Sequence, residues 1–495
     1  MLRPAFGQEW PDIKDFGALR SFAKALARAP YRPVAEVDSP QLRDLSYDQY
    51  RAIRPHPLKS WPADRPFSIQ PFHPGFLYKR PVSLHVVSGD TVRRVPYDPG
   101  QFDLSAVDGV DLSRFTAADG RGFGGFRLHH GAGPPGDQVE FAVFQGASYF
   151  RLRGDGQEYG LSGRGVALDT GGPGAEEFPD FTAFWVLEPG PDAREVEVLA
   201  LLDGPSLAGA YRFTVRPGVE AAMAVECALY PRQPLGKLGL APLTSMFLAG
   251  ENGGPPGHDD FRPEVHDSDG LLLHADGGWT WRALSNARTD AVLTDLPVRD
   301  LRGFGLMQRD RDFRSYMDVE ARQEDRPSAW VVPRGDWGPG RVQLYTFPSV
   351  TEFADNVVAS FIPDRAPGPG EELRLAYDIR VFGNRPDLPP LGRVTATRTG
   401  SADGLRPLPE PVPGRRLYMV DWEGGPLPSL EKGAPLTVEL NATAGIAADP
   451  YLERVVQTRG WRLYFDHRPG EGPATLTARL LLDGKPVTET WRHDG

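Results

Sequence analysis

Phe181-Thr-Ala-Phe-Trp-Val-Leu187, Val196-Glu-Val-Leu-Ala-Leu-Leu202 and Ala210-Tyr-Arg-Phe-Thr-Val215 decide the fold. Each run is too short for a stable helix, is rich in β-branched and aromatic residues, and has Gly, Pro or Asp close by, as in Glu188-Pro-Gly and Asp203-Gly-Pro. That combination reads as strands joined by turns. Working outward, Val82–Val87 and Val139–Phe144 repeat the pattern. The Asp-Gly pairs at 108–109, 155–156 and 276–277 favour hairpins, because both residues tolerate positive φ. Helices do not alternate with these strands, so the expectation is an all-β chain of antiparallel sheets. A large β-sandwich is expected over residues 35–375. Before it, residues 1–34 carry a helix at 15–29 that packs on the large domain. Phe16, Leu19, Phe22, Ala23 and Leu26 form its apolar stripe and Pro30 ends it. A shorter helical turn is expected near Leu45–Ile53. Turn-rich stretches at Asp364–Gly370, Arg385–Gly392 and Pro407–Pro413 mark a linker and boundary over 376–411. Residues 412–495 then offer about seven short strands, the pattern of a small immunoglobulin-like sandwich.

Composition agrees and excludes several functions. Gly (56) and Pro (50) are abundant without collagen periodicity, as many tight turns require. The net charge of -11 rules against a nonspecific nucleic-acid surface and suits a neutral ligand. Cys227 is the only cysteine, so disulfides and cysteine-based zinc clusters are excluded; its apolar surroundings predict a buried thiol. No run is long and apolar enough for a transmembrane span, and the opening Met1-Leu-Arg-Pro lacks the apolar stretch of a signal peptide. No dinucleotide fingerprint, P-loop or nucleophile elbow is present, and no cofactor is expected.

Chemistry concentrates between Leu243 and Asp355. The segments are Leu243-Thr-Ser-Met-Phe-Leu-Ala-Gly-Glu-Asn252, Phe261-Arg-Pro-Glu-Val-His-Asp-Ser-Asp-Gly270, Gly303–Phe313, Arg326-Pro-Ser-Ala-Trp330, Gly335–Gly340 and Thr351-Glu-Phe-Ala-Asp-Asn356. Carboxylates, arginines and tryptophans alternate in them. Ring faces suit pyranose C–H surfaces, and carboxylates and guanidinium groups suit hydroxyls. Arg262, Trp330 and Trp337 are the substrate-contact candidates of these types. The carboxylate pool is Glu251, Glu264, Asp267, Asp269, Asp310, Asp312, Asp336, Glu352 and Asp355, from which a pair could serve glycosidic cleavage. Asp267-Ser-Asp269-Gly invites a calcium reading but lacks the twelve-residue loop, and His258 and His266 have no zinc spacing. No metal is therefore expected.

These segments, together with Phe72-His-Pro-Gly-Phe76, Phe144-Gln-Gly-Ala-Ser-Tyr-Phe150, Tyr159-Gly-Leu-Ser162 and Glu176-Glu-Phe-Pro-Asp-Phe181, resemble the G/D-type osmoregulated periplasmic-glucan biosynthesis proteins. The resemblance covers at least residues 15–365. It implies a galactose-mutarotase-like β-sandwich followed by an immunoglobulin-like domain, a periplasmic location, a β-glucan oligosaccharide or polysaccharide as partner, and a homodimer. It also implies β-1,2-glucan chemistry: inverting endo-hydrolysis, or transglycosylation or glucan binding on the same scaffold. By match to the hydrolytic members, Asp355 of Glu352-Phe-Ala-Asp-Asn356 is the general acid, with a raised pKa. Asp267 of His266-Asp-Ser-Asp-Gly is the general base, with a low pKa, acting through a water chain. Glu352 contacts sugar. One departure stands out: Gln323 occupies the position near Arg326-Pro-Ser where hydrolytic members carry a Tyr.

Overall fold

In a computed structural model, the chain is described over residues 10–494 except 38, 60, 63, 110–121, 132–137, 253–259, 287–288, 386, 403–407 and 409–411. The opening residues 1–9, His258 and the Pro407 end of the expected linker lie outside the described residues. The protein is nearly all β, as the sequence predicts. No described helix is long and apolar enough to cross a membrane. The chain divides into two compact units.

One unit comprises residues 1–242, 331–337 and 360–381. The three deciding runs are adjacent strands, Asp180–Leu187, Val196–Asp203 and Leu207–Arg216, joined antiparallel and continued by Ala221–Pro231 and Leu373–Phe382. On the other side Ser83–Ser88 pairs parallel with Asp180–Leu187. A second sheet runs Phe67–Phe72, Gly125–His130, Val139–Gln145, Tyr149–Leu152, Ser162–Arg164 and Leu238–Ser245. The sheets meet through aromatic rings: Phe144 of one lies 5.6 Å from Phe184 and 5.2 Å from Phe213 of the other. Phe181 and Phe184 are three residues apart and would face opposite sides of a regular strand. A bulge between Phe181 and Ala183 breaks the alternation, and both rings reach Phe213 or Phe144.

The opposite face of the first sheet buries the helix Phe16–Ala27. Asp15 caps its N-terminus, and Leu19, Ala23 and Leu26 pack with Trp185, Leu199 and Ala210. Cys227 is buried between strands, and burial pushes its thiol up to about 12.

The other unit comprises residues 243–330, 338–359 and 382–495. Its larger sheet runs Leu436–Ala442, Thr475–Leu482, Thr490–Asp494, Gly278–Ala283, Gly270–Ala275, Leu301–Met307 and Ser328–Pro333. A four-stranded sheet runs Arg393–Ser401, Arg416–Glu423, Trp461–Arg468 and Ile446–Arg454. Trp491 fills the space between the two, its ring 5.9 Å from Tyr418 and 5.7 Å from Phe465. Asp276-Gly277 forms the expected two-residue hairpin, with φ of 52° and 76°. Asp155-Gly156 instead turns within the longer loop between Tyr149–Leu152 and Ser162–Arg164.

Three element-level expectations need correction. Arg393–Ser401 lies within the segment expected to link, yet it is an edge strand paired with Arg416–Glu423 on either side of a bulge at Thr395. The short strand expected at Ile446–Ala448 instead runs to Arg454, because a register shift between Ala448 and Tyr451 accommodates Asp449-Pro450. Thr490–Asp494 pairs in parallel with Gly278–Ala283, matching Trp491 to Trp281, so it joins the sheet of the central segments.

Candidate functional site

The short ribbon Phe247–Ala249 with Val265–His266 sets the site's orientation. Strand alternation sends His266 and Asp267 to opposite sides. Asp267 is 5% exposed and forms a close ion pair with Arg326, whose guanidinium also donates to the Ala321 carbonyl. Burial pushes Asp267 up to about 7, against the pull of Arg326 and with added repulsion from Asp355. The low pKa expected for Asp267 is therefore overturned, because loss of water outweighs the single guanidinium.

That repulsion places the Asp355 charge within reach of Asp267. Asp355 itself is exposed, in the loop before strand Val357–Pro363. Its neighbour Asn356 is buried and anchors the loop: its Oδ1 accepts the Phe247 N–H at 2.9 Å, and its Nδ2 donates to the carbonyls of Phe247 and Phe347 at 3.0 Å each. Glu352 is held by Arg262, which also binds Asp260 and Asp318 at 2.8 and 2.9 Å. Three carboxylates, led by Asp260, hold Arg262 firmly charged. One guanidinium thus ties three separate segments together beside Asp355. Phe261 and Phe353 next to this hub are exposed, as few large apolar side chains are.

Of the other predicted contacts, the two tryptophans pack on neighbouring rings and Gln323 is buried beside the His266 segment. Trp330 is only 5% exposed and stacks 5.7 Å from Trp279, which leaves little ring face for a sugar. Trp337 belongs to the other compact unit and packs on Phe361 and Tyr377. Gln323 is fully buried in a short 3-10 turn, and neither atom of its side-chain amide has a partner among the described residues. Its main-chain carbonyl accepts from Gln308 Nε2 at 3.1 Å.

Behind Asp267 a second group of carboxylates surrounds a small cavity of about 30 Å³, lined by Glu251, Asn252, Glu264, His266, Asp269 and Asp310 among others. Burial, then repulsion from Asp269, Glu264 and Glu251, pushes Asp310 up to about 8. Burial likewise pushes Glu251 up to about 7, opposed by Arg398. Arg309 stacks 3.6 Å over Trp281 and makes a two-pronged bond to the buried Glu489 at 2.6 and 3.0 Å. The buried Ser245 shares a 2.9 Å hydrogen bond with Ser268.

Asp260, Asp318, Arg326 and Glu489, which form the ion pairs of this region, were not picked out from the sequence as candidates. Arg326 stood in a segment already singled out, and its proximity to the carboxylate pool was the available signal. Glu489 carried none: only the parallel docking of Thr490–Asp494 brings it to Arg309.

Residues 15–494 match the family described as "Periplasmic glucan biosynthesis protein, MdoG". Among curated relatives, Glucans biosynthesis protein G of Vibrio cholerae is 40% identical over 479 residues, covering 95% of this chain and 85% of the relative. Glucans biosynthesis protein G of Ralstonia nicotianae is 40% identical over 95% of this chain and 94% of its own length. Glucans biosynthesis protein D 1 of the same organism is 40% identical over 96% of this chain and 90% of its own length.

Proposed function

The chain belongs to the MdoG family of periplasmic glucan biosynthesis proteins, and from that membership we propose that it acts in the periplasm on a β-1,2-linked glucan as an endo-acting, anomer-inverting hydrolase. Asp355 is the general acid and Asp267 the general base. Inversion needs one carboxyl group to protonate the departing oxygen and a second carboxylate, set further back, to draw a proton from the attacking water. The observation that carries the reading is the pairing of one buried and one exposed aspartate close enough for their charges to interact. Their surroundings differ, but burial pushes up the proposed base, Asp267, so the two roles rest on the match of their strings to the hydrolytic members and not on an order of pKa values. Glu352, fixed by Arg262 beside Asp355, supplies acceptors for sugar hydroxyls.

Linear β-1,2-glucan incubated with the protein should give short reducing oligosaccharides that first appear as the α-anomer. Asp355→Asn should fold normally and lose at least about a hundredfold in turnover, the usual contribution of a general acid. Products of β-configuration, or full activity in Asp355→Asn, would sink the assignment.

A second reading, transfer of the glucan to another sugar hydroxyl, is favoured by Gln323. Its buried amide stands where hydrolytic members are expected to carry a Tyr, with no partner among the described residues. Cyclic or redistributed chains in the same assay would select it.

A further inference from the structure

We propose that Glu264, His266 and Asp310, with the amide oxygen of Asn252, form a binding site for one divalent cation of the Zn2+/Mn2+ class. One ligand atom from each of the first three lies within 4.8 Å of the others. Donors at about 2.1 Å in a tetrahedral set lie about 3.4 Å apart, so closing the group around one ion takes side-chain shifts of about 1 Å. The group faces the cavity of about 30 Å³ behind Asp267, large enough for one small ion.

Two further observations point to a ligand rather than to a solvated acidic patch. Asn252 is 8% exposed and lines the same cavity. Its Nδ2 donates to the carbonyls of Ala283 and Leu284, which fixes the amide and leaves Oδ1 without a partner among the described residues. A buried acceptor with no donor is costly, and a cation satisfies it. The second observation is the orientation of His266. Gln308 Nε2 donates to the carbonyls of His266 and Gln323, so its Oε1 faces His266 Nδ1 at 2.9 Å. Nδ1 must then carry the hydrogen, and Nε2 is turned toward Glu264 at 2.9 Å. A metal-binding imidazole needs one nitrogen donating to a fixed acceptor in this way; Nε2, which meets Glu264 here, would exchange that contact for an ion shared with the same carboxylate.

The surroundings have the right sign. Glu251 Oε2 and Asp269 Oδ1 also lack partners among the described residues; of the nearby cations, Arg309 is engaged by Glu489 and Arg398 by the other oxygen of Glu251. One imidazole among oxygen donors suits Zn2+ or Mn2+ better than the all-oxygen preference of Ca2+. This runs against the expectation of no metal, because the ligands come from three separated segments and show no spacing motif. Glu264 and His266 immediately precede Asp267, so the ion would pin the segment that presents it.

The chain, stripped with a chelator and dialysed, is titrated separately with Mn2+, Zn2+ and Ca2+ alone. One equivalent of Mn2+ or Zn2+ should bind saturably. Asp310→Asn and Glu264→Gln should each weaken it about tenfold or more, with folding checked by circular dichroism. Mn2+ bound to the unaltered chain should show spin-echo coupling to a single imidazole nitrogen. The assignment is overturned by absence of saturable binding near one equivalent, by preference for Ca2+, by unchanged affinity in both folded variants, or by absence of the imidazole coupling. The last readout decides even if neither variant folds.

Discussion

Arg326 carries the electrostatic cost of keeping Asp267 out of water. Removing one partner from a buried pair leaves an uncompensated charge, at about 3–5 kcal/mol. Arg326 is partly exposed, so Arg326→Met should cost about 2–3 kcal/mol. Adding Asp267→Asn should recover part of that loss in urea unfolding; no recovery would mean that the pair is not what Arg326 stabilises. Arg262 makes a geometric rather than a merely ionic contribution. Lys at that position keeps the charge but cannot engage Asp260, Asp318 and Glu352 together. Arg262→Lys should therefore raise the KM for glucan several-fold with little change in melting temperature, and an unchanged KM would separate the hub from substrate binding. At this scale the sequence marked Asp267, Glu352 and Asp355 as candidates, because each sits in a distinctive string. Their partners were not legible. An ion pair depends on which strands are neighbours, and Asp260, Asp318 and Glu489 carry no mark of that in their own surroundings. Trp330 misled for a related reason: a tryptophan that stacks on a sugar and one that stacks on Trp279 look alike in one dimension.

At the scale of elements, the strand Leu301–Met307 is shaped by what crosses it. A methyl group at Gly303 would come within 2.3 Å of the Trp330 ring. That ring is wedged against Trp279 and cannot retreat freely. Gly303→Ala should destabilise the protein by about 1–3 kcal/mol, as overpacking of a filled core does. A stability equal to that of the unaltered chain would show that the ring can give. The runs between 181 and 215 were readable as strands because short β-branched and aromatic stretches with Gly, Pro and Asp nearby have few other uses. The helix Phe16–Ala27 was readable from its apolar stripe and following proline. Arg393–Ser401 was not. Its sequence, Arg393-Val-Thr-Ala-Thr-Arg-Thr-Gly-Ser401, has strand character but stands between turn-rich stretches that dominate a local reading. Pairing with Arg416–Glu423 settles the matter, and pairing is a nonlocal property.

At the scale of the molecule, the unit holding the N-terminal helix should be sensitive to acid. Burial pushes His73, His85 and His129 down to about 4, from an ordinary value of 6.5. His73 illustrates the cause: it is 2% exposed, and the loss of water outweighs its hydrogen bond to the Pro74 carbonyl, which favours the charged ring. Between these pH values the unfolded chain binds more protons, so stability falls as pH drops from about 6.5 toward 4. By pH 5 the loss is about 2 kcal/mol per histidine. Cys227 lies in this unit and its buried thiol is unreactive until the unit opens. The urea midpoint for thiol labelling should fall markedly from pH 7 to pH 5, and a midpoint independent of pH would refute the linkage. The parallel strand Thr490–Asp494 bears on a different matter, the order in which the chain is made. Trp281 leaves the ribosome roughly two hundred residues before Trp491, which is about 10–40 s of synthesis at ordinary rates. During that interval Gly278–Ala283 lacks one neighbouring strand, and Arg309 lacks Glu489. The carboxylate region around Asp267 therefore cannot reach its final form while the chain is growing, and its assembly waits for the synthesis of a segment that contains none of the predicted site residues.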